Sequence, residues 1–335
     1  MPETVLVTGG TGFVAGWCIV ELLQRGYRVR TTVRSSAKQT AVRLAVAQAH
    51  EFDDKLSFAI ADLTRDEGWD AAMVGIDYVL HVASPLGNNT PRQAETLIAP
   101  AREGTLRVLR AATRAGVKRV VMTSAAAAAR PPHRTDDVSD EAVWTDPADR
   151  TFDAYRLSKI LAERAAWDFM ASHGGTTEFT TILPGAVFGP VLSKDNLGSV
   201  QIIDRLLQGR PPGLPRLGFW IVDVRDLADL HIRAMTAPPA AGQRFLAAGD
   251  FMWMQDVAQT LRSKLGAKAA QVPTRRMPDV VFKMMALVIP QLRMFTPELG
   301  RKLNLSTAKA RQLLGFAPRS AQATIVACAE SLLVN

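Results

Sequence analysis

Tyr155 and Lys159 stand four residues apart in the run Tyr155-Arg156-Leu157-Ser158-Lys159-Ile160-Leu161-Ala162-Glu163. On a helix that spacing puts both side chains on one face. A phenol with a pKa of about 10 is a poor acid at neutral pH. A neighbouring ammonium favours the phenolate and lowers that pKa toward the working range. The pair is suited to moving one proton to and from a small molecule. Tyrosine and lysine also meet at this spacing by chance on helix surfaces, so the pair gains weight from its setting.

That setting begins at Val5-Leu6-Val7-Thr8-Gly9-Gly10-Thr11-Gly12-Phe13-Val14-Ala15-Gly16. Val5 to Thr8 reads as a buried strand. Trp17 to Arg25 reads as a helix with an apolar stripe at Ile19, Val20, Leu22 and Leu23. Strand, glycine turn and helix are the context of a dinucleotide fingerprint. Gly9 and Gly10 allow the tight turn, and Gly12 lets a pyrophosphate approach the backbone at a helix N-terminus. Ala15 occupies the place of the usual third glycine.

Tyr27 to Val33 is a second strand, followed by Arg34, Ser35, Ser36 and Lys38. No carboxylate ends that strand to take ribose hydroxyls, and Arg34 can offer a fork to a 2′-phosphate. The implied cofactor is NADP(H). Leu56 to Ala61 is a third strand; Asp62 after it either accepts from an adenine amino group or caps the next helix. Ile76 to Val82 is a fourth strand, leading into Ala83-Ser84-Pro85, with His81 read as a packed residue. A helix spans about Leu97 to Ala115. Lys118 to Thr123 and Glu178 to Leu183 are further strands, and Arg244 to Ala248 suits another. Arg130 to Asp149 is a polar excursion over the site, too short to be a linker.

The chain has 335 residues, 47% hydrophobic and 21% charged, with a net charge of +8. This is ordinary for a soluble protein with room for two lobes. The basic residues are scattered rather than massed, which speaks against nucleic acid and for a basic surface favouring an anionic cofactor. Cys18 and Cys328 offer neither a disulfide framework nor a metal spacing, which suits a reducing cytoplasm. No signal peptide is expected at the N-terminus. Val280 to Ile289 is apolar but too short to span a bilayer and contains Lys283. Met284, Met285 and Met294 suit a deformable pocket wall or the core.

Together these pieces resemble an extended short-chain dehydrogenase/reductase. The carriers are Thr8-Gly9-Gly10-Thr11-Gly12-Phe13-Val14-Ala15 and Tyr155-x-x-x-Lys159. Val82-Ala83-Ser84-Pro85, Pro100-Ala101-x-x-Gly104-Thr105, Asp140-Glu141-x-x-Trp144-Thr145-Asp146 and Val222-Asp223-Val224-Arg225-Asp226 are similar to the branch of dihydroflavonol, cinnamoyl-CoA and microbial aldehyde/ketone reductases. The resemblance runs from about Thr4 to Ala321. It implies an α/β fold, a Rossmann-type doubly wound parallel sheet with a smaller, mostly helical C-terminal substrate lobe. The expected division is 1–184 plus about 219–249 for the Rossmann lobe, and about 185–218 plus 250–335 for the substrate lobe. It further implies B-face hydride transfer, with Tyr155 as acid in reduction and Lys159 holding the nicotinamide ribose and tuning Tyr155. Pro184 and Val187 would lie by the carboxamide. The full expected cofactor set is Thr8, Gly9, Gly10, Thr11, Gly12, Phe13, Val14, Arg34, Lys38, Asp62, Leu63, Val82, Ala83, Ser84, Thr123, Tyr155, Lys159, Pro184, Gly185 and Val187.

There is one departure. Many relatives carry Thr-Ser-Ser, usually with the second serine catalytic, where this chain has Thr123-Ser124-Ala125. Either Ser124 supplies the hydroxyl through a one-residue shift at the strand end, or Ser124 is structural and Tyr155 works without it. The expected function is reduction of an aldehyde or ketone, aromatic or flavonoid-like, by a monomer or homodimer without a membrane span or a metal. The competing functions are a hydroxysteroid or alcohol dehydrogenase, a nucleotide-sugar epimerase, and a non-catalytic dinucleotide sensor.

Overall fold

The computed structural model describes residues 2–51, 54–85, 94–132, 137–149, 151–293 and 295–334. Its first half alternates strand and helix: β1 (Thr4–Val7), α1 (Phe13–Gln24), β2 (Arg28–Val33), α2 (Gln39–Ala47), β3 (Leu56–Ile60), α3 (Trp69–Met73), β4 (Tyr78–His81), α4 (Ala94–Arg114), β5 (Arg119–Thr123), α5 (Ala154–Ser172) and β6 (Glu178–Pro184). The second half adds β7 (Ala186–Phe188), α6 (Gln201–Leu207), β8 (Gly218–Asp223), α7 (Val224–Thr236), β9 (Gln243–Ala247), β10 (Phe251–Trp253), α8 (Met254–Leu265), α9 (Asp279–Val288), α10 (Pro290–Arg293), α11 (Ala308–Leu314) and α12 (Ala321–Val334).

Seven strands form one sheet in the order β3-β2-β1-β4-β5-β6-β9, every neighbouring pair parallel. Parallel strands are buried on both faces, which is why the central ones read as unbroken apolar runs. On one face Ile19 and Leu22 of α1 meet Leu227 and Leu230 of α7. On the other, Val108 and Leu109 of α4 meet Ala162 and Ala166 of α5. The strand order reverses between β1 and β4. In a doubly wound sheet that switch point opens a crevice at the carboxyl ends of the strands.

A second sheet, β10-β8-β7, sits over the C-terminal helices. Its core joins Phe188, Ile203, Leu217, Leu261 and Ile325. The chain passes from β6 into β7 through Gly185, where a Cβ would stand 2.3 Å from the Trp220 carbonyl oxygen of β8. The strand opening the expected 219–249 segment of the Rossmann lobe therefore pairs elsewhere. β8 belongs to the small sheet, and α7 with β9 returns to the large one. Asp223 marks the crossing by capping α7, its Oδ1 accepting from Arg225 N at 2.9 Å.

Candidate active site

The glycine turn lies at the switch point. Gly9 has φ +75°, and a Cβ there would meet the Ala83 Cβ beyond β4 at 2.9 Å. A Cβ on Gly10 would stand 2.5 Å from Thr31 Oγ1, so this glycine serves packing against β2 as well as the turn. Gly12 N–H donates to Gly9 O at 2.9 Å and closes the loop. Gly12 is the N-cap of α1, which has no side-chain cap and no acidic residue in its first turn. The first-turn N–H groups of such a helix present positive charge to an anion. Thr11 is exposed, and Phe13 and Val14 are half-buried. Thr8 is buried; its Oγ1 accepts from Val82 N at 3.1 Å and Ala83 N at 3.0 Å and bonds His81 Nδ1 at 3.0 Å. With both acceptor sites of the hydroxyl filled, its hydrogen goes to Nδ1. The His81 proton then sits on Nε2, which bonds Thr105 Oγ1 at 3.2 Å. Burial holds the His81 pKa down to about 3, so the ring is a neutral strut.

Beside this turn, Arg34 and Lys38 are exposed at the end of β2, with no carboxylate on that strand end. Asp62, after β3, uses Oδ1 to accept from Thr64 N at 2.9 Å and Thr64 Oγ1 at 2.8 Å. It closes a turn rather than capping a helix. The Thr64 N–H holds its pKa below the usual carboxylate range, and Arg34 and Arg65 add to that. Leu63 packs against α4 where Gly104 lacks a side chain; a Cβ there would stand 2.7 Å from Leu63 Cβ. Val82, Ala83 and Ser84 are half-buried at the mouth of the crevice, Pro184 is buried at the end of β6, and Val187 is half-buried in β7. An uncapped helix N-terminus, a glycine-rich turn and an exposed arginine where a ribose carboxylate would otherwise stand together fit NADP(H). Gly185 has a packing reason of its own.

Tyr155 is the second residue of α5, a helix capped by Asp153, whose Oδ1 accepts from Arg156 N at 3.0 Å. Tyr155 is half-buried and Lys159, one turn on, is buried. Lys159 Nζ donates to the Thr123 carbonyl oxygen at 3.1 Å, at the carboxyl end of β5. Burial brings the Lys159 pKa down to about 8, with Glu163 opposing. Tyr155 departs from expectation. Its pKa is raised, by burial first and then by Asp153. Burial thus makes the phenol a weaker acid, opposite to the lowering expected from Lys159.

Ser124 is the clear correction. Its Oγ donates to Glu163 Oε2 at 2.6 Å in the buried interior. The one-residue shift does not occur. Ser124 N–H still donates to Ile182 O at 2.8 Å, continuing the pairing with β6. Ala125 is extended too, at φ −155° and ψ 151°. Alternation then turns Thr123 Oγ1 to His231 Nε2 at 2.7 Å and Ser124 to the opposite face. Ala125, half-buried, puts only a methyl where the resemblance places the serine.

Sequence reasoning assigned no role to the group that captures Ser124. The Glu163 carboxylate also accepts from Thr181 Oγ1 at 2.8 Å and Arg244 Nε at 2.9 Å. Arg244 is likewise buried. Its Nη1 donates to Glu141 O at 3.0 Å and Val143 O at 2.8 Å, and its Nη2 to Ala128 O at 2.9 Å. Its guanidinium lies 3.7 Å from the Trp144 ring centroid. This arginine ties the polar excursion to β9 and to the helix that carries Tyr155. Glu163 carried a signal, the continued four-residue spacing beyond Lys159. Arg244, 81 positions away, carried none. Glu298 adds a second tie, accepting from Arg130 Nη2 at 2.7 Å and Arg156 Nη1 at 3.4 Å, and so fastens the C-terminal lobe beside Tyr155. Among the described residues no cluster of metal-ligating side chains occurs.

A doubly wound sheet of this order, open at its carboxyl edge, is the frame of a dinucleotide-binding protein. Residues 5–248 match the NAD dependent epimerase/dehydratase family. The chain belongs to that family, the extended short-chain dehydrogenases/reductases. It is 34% identical over 300 residues to the ketoreductase azaE of Aspergillus niger, covering 83% of this chain and 87% of that one. It is 34% identical over 264 residues to cinnamoyl-CoA reductase 1 of Oryza sativa, covering 78% and 75%. The yeast methylglyoxal/isovaleraldehyde reductase Gre2, solved in complex with NADPH, superposes with a TM-score of 0.83 at 26% identity over 99% of this chain and 98% of that one.

Proposed function

We propose that the chain reduces an aldehyde or ketone to an alcohol with NADPH, and that Tyr155 donates the proton. The observation that carries this reading is Tyr155 one helical turn before a buried Lys159 that bonds the carboxyl end of β5, on the same edge of the sheet as the uncapped glycine turn. NADPH, when bound, supplies the hydride. Gly9, Gly10, Gly12 and the first turn of α1 would hold its pyrophosphate, and Arg34 its 2′-phosphate. Lys159 would hold the ribose hydroxyls with the N–H donors that Thr123 O leaves over. As negative charge grows on the carbonyl oxygen, Tyr155 Oη gives it a proton.

The reductase names of the relatives support carbonyl substrates over nucleotide sugars. The test is NADPH consumption over a panel of aromatic aldehydes, ketoesters, dihydroflavonols and steroids, with Tyr155→Phe beside the wild type. Turnover of at least one carbonyl, and a loss of about 10²–10⁴-fold in Tyr155→Phe with NADPH binding retained, is the expected result. A fully active Tyr155→Phe protein would remove Tyr155 as the donor. A protein that binds NADPH but turns over nothing would favour a sensor.

A further inference from the structure

We propose that the outer face of α9 docks on an anionic lipid bilayer. α9 is apolar on two opposite faces. Phe282, 3% exposed, anchors it to the C-terminal core, and Ala286 beside it is 4% exposed. Val280, Met284, Leu287 and Val288 recur at i, i+4, i+7 and i+8 on the other side, and they are 67%, 54%, 74% and 82% exposed. A surface helix ordinarily turns polar residues outward. Among the described residues, six of the fourteen large apolar side chains left exposed fall between 280 and 289. Such a concentration marks an interaction face. The methionine expected in a pocket wall or the core, Met284, is part of it; Met294 lies outside the described residues.

Charge selects the partner. Residues 185–335 hold 19 lysines and arginines against 10 aspartates and glutamates, whereas residues 1–184 hold 21 against 22. Positions 257–297 carry seven basic residues and a single carboxylate, Asp279. Arg216 Nη2 holds that carboxylate at 2.6 Å. Arg293 donates to Ala286 O at 2.9 Å and Leu287 O at 2.8 Å, which fixes a cation at the end of the exposed stripe. Lys283 and Arg275 are exposed on and just before the helix. An apolar stripe rimmed by cations is the pattern that lies in the interface of an anionic leaflet. A second copy of this chain fits poorly, because a two-fold contact would set the basic rim against itself. No described helix is long and apolar enough to cross a membrane, so the contact is peripheral.

The test is sedimentation of the full chain with vesicles of phosphatidylcholine alone and of phosphatidylcholine with phosphatidylserine, at low and physiological ionic strength. The expected result is binding that requires phosphatidylserine and weakens with salt. Leu287→Asp with Val288→Asp, and separately Arg275→Glu with Lys283→Glu, should each weaken it about tenfold or more. Both pairs are exposed, and an unchanged melting temperature confirms that each variant is folded. Absence of binding at low ionic strength, equal binding to the two vesicle types, or binding untouched by Leu287→Asp with Val288→Asp would overturn the proposal. So would self-association of the wild type that this same pair abolishes, which would make the occupant a second copy.

Discussion

Two polar layers on one helix behave in opposite ways. At the start of α5, Tyr155 stands half-buried and Lys159 gives one hydrogen bond to a strand carbonyl. One turn further, Glu163 is wholly buried and accepts from a serine, a threonine, a tryptophan and an arginine. All five N–H groups of Arg244 have acceptors. The lower layer satisfies itself, and the upper one keeps donors for something else. A buried polar network that is complete makes a rigid floor, whereas chemistry needs groups whose bonds are still open.

Breaking the floor should have the largest effect. Glu163→Gln keeps the shape but removes the charge facing Arg244, and loss of one partner of a buried pair costs about 3–5 kcal/mol. Denaturant unfolding measures it. The double variant with Arg244→Met should lose less than the two single variants summed, because no cation is then stranded. Tyr155→Phe should do the reverse, leaving stability near the wild type while removing turnover. If Glu163→Gln unfolds as the wild type does, the two layers do not differ as described.

The second break uses pH. Burial sets the folded pKa of Lys159 at about 8, below its unfolded value. Between the two the unfolded chain holds the extra proton, so this group makes stability rise with pH above about 8, by at most about 1.4 kcal/mol per unit. Cys328, pushed up to about 12 by burial, and the buried Cys18 pull the other way. The difference between wild type and Lys159→Met isolates the lysine. The variant should gain less stability from pH 8 to 10 than the wild type, and parallel curves would place the ammonium in a wetter site.

How the upper layer was legible follows from the same contrast. A glycine turn between strand and helix is a backbone demand, visible in Gly9 with its positive φ and in Gly10, where a Cβ would run into Thr31. The Tyr155–Lys159 spacing is local, and so is the absence of a carboxylate after β2. The floor is long-range. Ser124 meets Glu163 across 39 positions, and nothing near Ser124 says which way its hydroxyl turns. β8 reads like any buried strand, and only its partners β7 and β10 decide the sheet. The outward face of α9 has core composition, so its exposure could not be read from periodicity.

A third measurement sharpens the upper layer at its rim. Arg34 is exposed and stands where other dinucleotide proteins keep a carboxylate. A charge-assisted pair with a 2′-phosphate contributes about 1.5–3 kcal/mol. Arg34→Ala should cut the preference for NADPH over NADH by about tenfold or more in kcat/KM. Equal use of both cofactors by the wild type would make Arg34 a solvated surface residue.

The smallest effects lie where the two layers meet, at Ser124 and Ala125. Ser124 faces the floor, so Ser124→Ala removes one donor from the Glu163 carboxylate. Loss of such a partner costs about 1–3 kcal/mol of stability and leaves kcat near the wild-type value. Ala125→Ser instead adds a hydroxyl at a half-buried position on the upper side. A donor built for a developing oxyanion contributes about 2.7–4 kcal/mol. A hydroxyl introduced without supporting contacts should recover a small part of that, a few-fold rise in kcat. The double variant should combine the stability loss of one with the kinetic gain of the other, since the two residues point to opposite faces and share no partner. A large fall in kcat for Ser124→Ala that the double variant restores would mean that Ser124 turns from Glu163 toward the substrate during turnover. The floor would then take part in the chemistry, and the separation of the two layers would fail at this residue.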